Sequence, residues 1–422
     1  MTLRARRMRL EGFGRDRARQ LERAAARHGA LHASEELVVC AFGEALSIPL
    51  KSGLADVSSP DRVAGALEGI ELEGDDGPGG SGVVALGSLP FDATAGGELF
   101  VPKLVCAWQP ASTSAWITEV GEAVRLHPAA AMHAIVAGDD RRVPQQAIDS
   151  IVEEPSGAAY AAAVATCVAR IKAGDAEKVV LARRLLGRAT EPIDVAALAR
   201  ALHATEPSCT LYAFPHGGRR FVGASPELLL ATSGGAVAAH PLAGTVPLSA
   251  EGDAADHIAW LLASAKNLAE HRLVVDDIIE RLSGLCDAVG APATPDIVRL
   301  STVAHLGTWV DGKLSGRHDA HTAVRALAAV HPTPAVGGVP RESALELIGE
   351  LESGARGPWA GPVGWVDADG TSTWTLGLRG LCVSGVDFEA WGGAGIVVDS
   401  EPESELVETT VKLASVLRAF SG

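Results

Sequence analysis

The chain has 422 residues, 47% hydrophobic and 21% charged, which is enough apolar matter for a large core and too much for intrinsic disorder. Its 36 lysines and arginines stand against 52 aspartates and glutamates, a net charge of −16; this argues against a nucleic-acid partner, whose affinity comes from clustered cations. An anionic substrate is still allowed, because a few buried cations or a bound metal can invert the local field of an acidic protein.

Cys40, Cys106, Cys167, Cys209, Cys286 and Cys382 form no CxxC pair, so neither a disulfide scaffold nor a zinc module is indicated and a reducing compartment is expected. No apolar run approaches the roughly 18 residues a membrane span needs, and the N-terminus lacks a secretory apolar core. A cytoplasmic protein without membrane contact is expected.

Nine arginines precede residue 30, and Glu11, Asp16 and Glu22 interrupt them. Transit peptides are poor in acids, so the run is read as a solvated helix. Short β-branched stretches at Leu37–Phe42, Gly82–Gly87 and Leu99–Val105 predict strands, with the breaker cluster Glu73–Gly82 as an exposed loop rather than a domain boundary. An alanine-rich helix is expected from about Ser156 to Lys172, with Gly174 as its C-cap. The strand Lys178–Arg184 follows, with Lys178, Val180, Ala182 and Arg184 on one face. A lysine opening an apolar strand is ordinarily a solvated edge residue.

Further strands are expected at Cys209–Phe214, Arg220–Gly223, Leu228–Ala231, Thr373–Arg379 and Asp387–Trp391. Long helices are expected at Asp253–Leu282, Ala320–Val330, Arg341–Leu351 and Glu403–Phe420. Clustered strands and widely separated helices fit an α+β sandwich better than alternating βαβ units. A strand-rich part over 1–150 and a motif-bearing part over 155–420 are read together as one domain.

In the last helix Glu405, Glu408 and Lys412 are spaced i, i+3 and i+7 and so stack along one face. Such spacing alone is more often a solvated salt-bridge ladder. Glu270-His271 lies in the helix expected at Asp253–Leu282, and a glutamate there with glutamates from another helix is the oxygen-only set that Mg²⁺ prefers. Zinc is disfavoured, since no HExxH exists and the 13 histidines are scattered.

Gly307–Lys313 matches GxxxxGK, but Leu314 replaces the metal-binding Ser/Thr and no helix opens there. Gly392-Gly393-Ala394-Gly395 is likewise not followed directly by the helix a dinucleotide turn needs. No GxSxG elbow is present.

Taken in order, a set of short blocks resembles the chorismate-binding enzymes, the family of isochorismate, salicylate, anthranilate and aminodeoxychorismate synthases. The blocks are Lys178–Arg183, Gly223–Leu228, Pro241–Thr245, Lys266–His271, Val303–Leu306, His331–Ala335, Gly377–Arg379, Gly393–Ile396, and Ser404–Glu408 with Lys412. A weaker likeness at Gly87–Asp92 reaches into the first half. Each block is modest, whereas nine in one order are very specific.

The resemblance implies a single α+β domain of antiparallel sheets packed together with helices outside, and one Mg²⁺ at the active site. Lys178 stands where water-using members place a lysine. Ala243 stands where aminodeoxychorismate synthases carry a lysine that forms a covalent intermediate, and His331–Ala335 resembles isochorismate synthases in particular. The implied activity is therefore that of an isochorismate synthase, an isomerase, with a salicylate synthase as the nearest alternative.

By the same resemblance Lys178 is the base toward water and Glu227 the acid toward the leaving hydroxyl. Burial among Val179, Val180 and Leu181 is expected to lower the pKa of Lys178, and an apolar pocket to raise that of Glu227. Glu270 and Glu408 are the implied Mg²⁺ ligands, with Glu405 next. Arg379 and Lys412 would clamp the enolpyruvyl carboxylate, while Ala243, Gly244, Thr245, His305, Ala335 and Gly393 would line the substrate, chorismate. The chain is expected to act as a monomer with no obligate glutaminase subunit.

Overall fold

The computed structural model describes residues 3–112, 114–125, 127–136, 147–248 and 254–420. Two large sheets dominate. The first runs in spatial order from Ile148–Glu154 through Lys178–Ala189, Asp387–Ile396, Gly380–Ser384, Arg219–Ser225, Thr210–His216 and Ala30–Ala33. It continues through Val38–Phe42, Leu104–Trp108, Ala115–Gly121 and Arg4–Leu10 to Glu71–Gly74. The second is centred on Leu228–Ser233, Ser372–Leu376, Pro362–Asp367 and Val84–Ser88, and a small third sheet pairs Leu242–Pro247, Val303–Gly307 and Asp296–Arg299. Both large sheets therefore draw strands from both halves of the chain.

The α+β class follows from how the apolar faces are covered. Val84, Leu86, Val363 and Trp365 of the second sheet meet Val39, Val105, Tyr212, Phe214 and Phe221 of the first in one buried cluster, as the inner faces of a sandwich must. Pairing is antiparallel throughout the described strands except for Arg4–Arg7 against Glu71–Gly74, which is parallel.

Several sequence expectations change in detail. The arginine-rich start is not one solvated helix. Arg4–Leu10 is a strand in register with Ala115–Gly121, and Arg15–His28 is a helix that buries Leu21, Ala24, Ala25 and Ala26. Apolar residues spaced along both segments supply an inward face that the arginine count obscures. Leu99–Val105 is split into the strands Gly97–Val101 and Leu104–Trp108, since Pro102 has no N–H to donate to a ladder. The Glu73–Gly82 segment is exposed only in its first part. Ser81 is fully buried and Gly80 donates its N–H to the buried Asp367 carboxylate.

Helices at Ala320–Val330 and Arg341–Leu351 have the expected bounds. The helix Gly157–Lys172 is capped by Ser156 and ends at Ala173, with Gly174 taking the left-handed position (φ +93°) just beyond. The expected helix from residue 253 to 282 is two helices over its described part, Ala254–Ala263 and Ala265–Ser283, because Ser264 leaves the helix and accepts from the Asn267 N–H as an N-cap. That interruption starts a fresh helix one turn before Glu270.

Two tyrosines occur in the chain, and each ties a site-forming segment to the scaffold. The Tyr160 hydroxyl donates to the Leu181 carbonyl at 3.0 Å. The Tyr212 hydroxyl donates to the Leu378 carbonyl, beside Arg379, at 2.9 Å. Replacing Ser264 by alanine should remove the cap of the Glu270 helix and lower stability by about 1 kcal/mol, read as a shift in the denaturant midpoint; an unchanged midpoint would show that the cap contributes nothing.

Candidate active site

The third sheet, the Glu270 helix and the last helix close over one end of the first sheet and leave a cavity. Lys178 and Val180 enter it from the strand Lys178–Ala189, and Glu227 from the turn joining Arg219–Ser225 to Leu228–Ser233. Ala243, Gly244, Thr245 and His305 come from the third sheet, Glu270 from its helix, Ala335 from a loop, and Arg379 from the turn after Ser372–Leu376. Gly393 lies on Asp387–Ile396, and Glu405, Glu408 and Lys412 on the helix Pro402–Leu417. Every residue to which the sequence analysis gave a catalytic, substrate-lining or metal role thus lines a single cavity.

Lys178 is not an edge charge. Its strand is flanked by Gly338–Val339 and by Asp387–Ile396, and the side chain is 1% exposed with Nζ 2.9 Å from a Glu270 carboxylate oxygen. The expected apolar surroundings are therefore only partial, because Val179 and Leu181 project to the opposite face of the strand and a carboxylate partners the ammonium. Gly395 makes room for the pair. A Cβ at Gly395 would clash with the Glu270 carboxylate and lie 3.1 Å from Lys178 Cε.

Glu227 is buried, and burial pushes its carboxyl up to about 8, against smaller opposing effects of a hydrogen bond from the Leu242 N–H and the charges of Lys178 and Lys412. At neutral pH it therefore carries a proton; that acid form is lost as pH rises through about 8. The Leu242 N–H lies 3.4 Å from its Oε1.

Lys412 donates to Glu408 at 2.6 Å and to the Gly393 carbonyl at 2.9 Å. Glu405 is buried and pairs with Lys266 at 3.3 Å. Burial, then the nearby negative charge of Glu408, raises its pKa. The i, i+3, i+7 row thus faces the cavity rather than solvent. Its acids and Glu270 offer oxygen donors only, the chemistry of a hard divalent cation. Among the described residues no three His, Cys, Asp or Glu side chains converge as a ready-made cage. The donors fit a cation held by two carboxylates and completed by water and an anionic substrate, the manner in which Mg²⁺ is commonly bound.

Arg379 adopts φ +50°, a left-handed conformation that costs a non-glycine residue energy and persists only where the surroundings impose it. One guanidinium nitrogen donates to Ser415 at 3.0 Å, and another lies 3.4 Å from His305 Nε2. Arginine can only donate, so Nε2 accepts and the imidazole proton sits on Nδ1, 3.0 Å from the Thr245 hydroxyl. Burial, then the charges of Arg379 and Lys412, holds His305 well below its usual range, which keeps it neutral.

The sequence reading assigned no site role to Lys266, Asn267 and Gly395, although its blocks contain them, and it missed Trp359 and Trp391; all five line the same cavity. Trp359 and Trp391 stack with centroids 5.9 Å apart and form an apolar wall. The run Gly393-Ala394-Gly395 held a signal for one of them, since glycines two apart on a strand share a face. Neither decoy forms a nucleotide turn, because Val303–Gly307 and Val310–Leu314 are strands, as is Asp387–Ile396.

Residues 26–421 match the sequence model of a family described as "Chorismate binding enzyme". Isochorismate synthase DhbC of Bacillus subtilis is 31% identical over 401 residues, covering 92% of each chain. Anthranilate synthase component 1 of Aeropyrum pernix is 38% identical over 63% of this chain and 61% of that protein. The solved structure of MenF, the menaquinone-specific isochorismate synthase of Escherichia coli, superposes with a TM-score of 0.79 over 98% of this chain and 94% of that one at 24% identity, a likeness of fold. The chain belongs to the chorismate-binding enzymes.

Gly395→Ala should force Lys178 and Glu270 apart. Turnover is expected to fall at least 100-fold while the circular dichroism spectrum stays native; a variant of near-normal rate would show that the pair tolerates displacement and is not needed for the reaction.

Proposed function

We propose that this enzyme is an isochorismate synthase, adding water to C2 of chorismate as the C4 hydroxyl leaves. The observation that carries this reading is the placement of a buried Glu227, whose carboxyl burial pushes up to about 8, and a buried Lys178 on the walls of one cavity. Water is a poor nucleophile and hydroxide a poor leaving group, so the exchange needs a base at one carbon and an acid at the other.

Lys178, acting as the base, would accept a proton from water. The water oxygen bonds to C2, the ring double bonds shift, the C4–O bond breaks, and Glu227 gives its proton to the departing oxygen. One water enters and one leaves, so the product is an isomer of the substrate and no redox partner is needed. Anthranilate-type members use ammonia in place of water; Lys178 supports the water-using reading, because in the family resemblance it occupies the position that those members leave without a lysine.

Glu270 and Glu408, with Glu405 beside them, are the residues that would hold Mg²⁺, and the bound ion would neutralise them and anchor a substrate carboxylate. Arg379, its guanidinium oriented by the Ser415 hydroxyl, presents a fork of donors suited to the second carboxylate. Lys412 would share that carboxylate while held to Glu408 and the Gly393 carbonyl. Neutral His305 with Thr245, the backbone at Gly244 and the small side chains Ala243 and Ala335 would define the substrate's outline. The stacked tryptophans exclude water from one side.

Incubation of the protein with chorismate and Mg²⁺, followed by mass and ultraviolet identification of the product, should yield isochorismate alone, and chelation should stop the reaction. Salicylate with pyruvate would indicate a salicylate synthase, an aminated product with ammonia would indicate an anthranilate-type enzyme, and no turnover would indicate a binding protein; each contradicts the proposal. Lys178→Ala is expected to reduce kcat by more than 100-fold with chorismate binding retained.

A further inference from the structure

We propose that the buried pair Glu352–Arg356, which does not reach the cavity, is a positioning element for the active site; the inference rests on the isochorismate synthase reading. Both side chains are almost wholly buried, at 4% and 1% exposure. They follow the helix Arg341–Leu351, and their hydrogen bonds run to the backbone of two segments that line the cavity.

Arg356 Nη2 donates to the Val180 carbonyl at 2.7 Å, and Nη1 donates to the Val336 carbonyl at 2.6 Å. Nε donates to one Glu352 oxygen at 2.9 Å and Nη2 to the other. The latter oxygen also accepts the Ala182 N–H at 2.8 Å. The pair therefore grips the Lys178 strand on both sides of Leu181 and joins it to the Ala335-Val336 loop. The guanidinium lies over Phe91 at 4.1 Å and near Trp359 at 5.3 Å from the ring centroids, so the aromatic wall of the cavity is tied to the same group.

Stability alone does not account for such a pair. Desolvating two charges offsets most of their attraction, and apolar replacements of similar volume are often neutral or stabilising. The planar fork supplies what an apolar group or a lysine does not, namely fixed, diverging donors to two carbonyls and a carboxylate at once. Its effect is to set where Lys178 and the loop stand relative to the substrate, and displacements near 1 Å from outside a site can cost about 100-fold in rate.

The test compares Arg356→Lys, Glu352→Gln and Glu352→Ala with the wild type for kcat, KM for chorismate and thermal midpoint. Positioning predicts that folded Arg356→Lys loses about 10- to 100-fold in kcat with KM changed less than about threefold. Glu352→Gln, which keeps an acceptor for the Ala182 N–H, should retain more of kcat than Glu352→Ala. A lowered midpoint with unchanged kcat in the folded variants would overturn the proposal, leaving the pair a purely structural one. If Arg356→Lys does not fold, the two Glu352 variants decide, and equal, wild-type kcat in both overturns it. A wild type that makes no isochorismate defeats the underlying functional reading instead, so the two failures are distinguishable.

Discussion

The arrangement depends on keeping a proton on Glu227 at neutral pH inside a cavity that also holds several cations. Desolvation disfavours the carboxylate, and it outweighs the positive charges of Lys178 and Lys412 that act in the opposite sense. The same imbalance has a cost to folding. A carboxyl whose folded pKa lies above its unfolded one withdraws stability as pH climbs between the two values. The fold accepts that cost at the position where an acid is most useful.

Around this acid the cations are not free charges. Lys178, Lys266 and Lys412 each hold a different glutamate, at 2.9, 3.3 and 2.6 Å, and Arg379 is engaged by Ser415 and by neutral His305. Pairing of this kind compensates the three lysines in place, whereas Arg379, whose hydrogen-bond partners are neutral, keeps its charge for an anionic ligand. The small residues have a complementary part, because Gly395 admits the Lys178–Glu270 pair and Gly393 supplies both space and a carbonyl.

Much of the cavity lining was legible in the sequence through the family resemblance, which places particular residue types within short ordered blocks. Glu227 after Ser-Pro, Glu270 before His271, and Glu405, Glu408 and Lys412 at helical spacing all line the cavity. Partnerships were not legible. Lys178 with Glu270, Lys266 with Glu405, and Arg356 with the Val180 carbonyl join segments distant in the chain, and no local periodicity encodes them. Lys178 in isolation read as an edge charge, since the strand that covers it lies some 200 residues further on. The sandwich class was legible in the clustering of short apolar strands, whereas the break at Ser264 and the strand Arg4–Leu10 were not. A single serine is a weak stop signal, and arginines dominate a segment whose inward residues are few.

The central claim is that Glu227 is a protonated acid at physiological pH. Infrared difference spectroscopy against Glu227→Gln, followed from pH 5 to 10, tests it most directly. The account predicts one protonated-carboxyl band, absent from the variant, that persists at pH 7 and disappears with a midpoint of about 8. A band already lost by pH 6, or a spectrum identical to that of the variant, would contradict it.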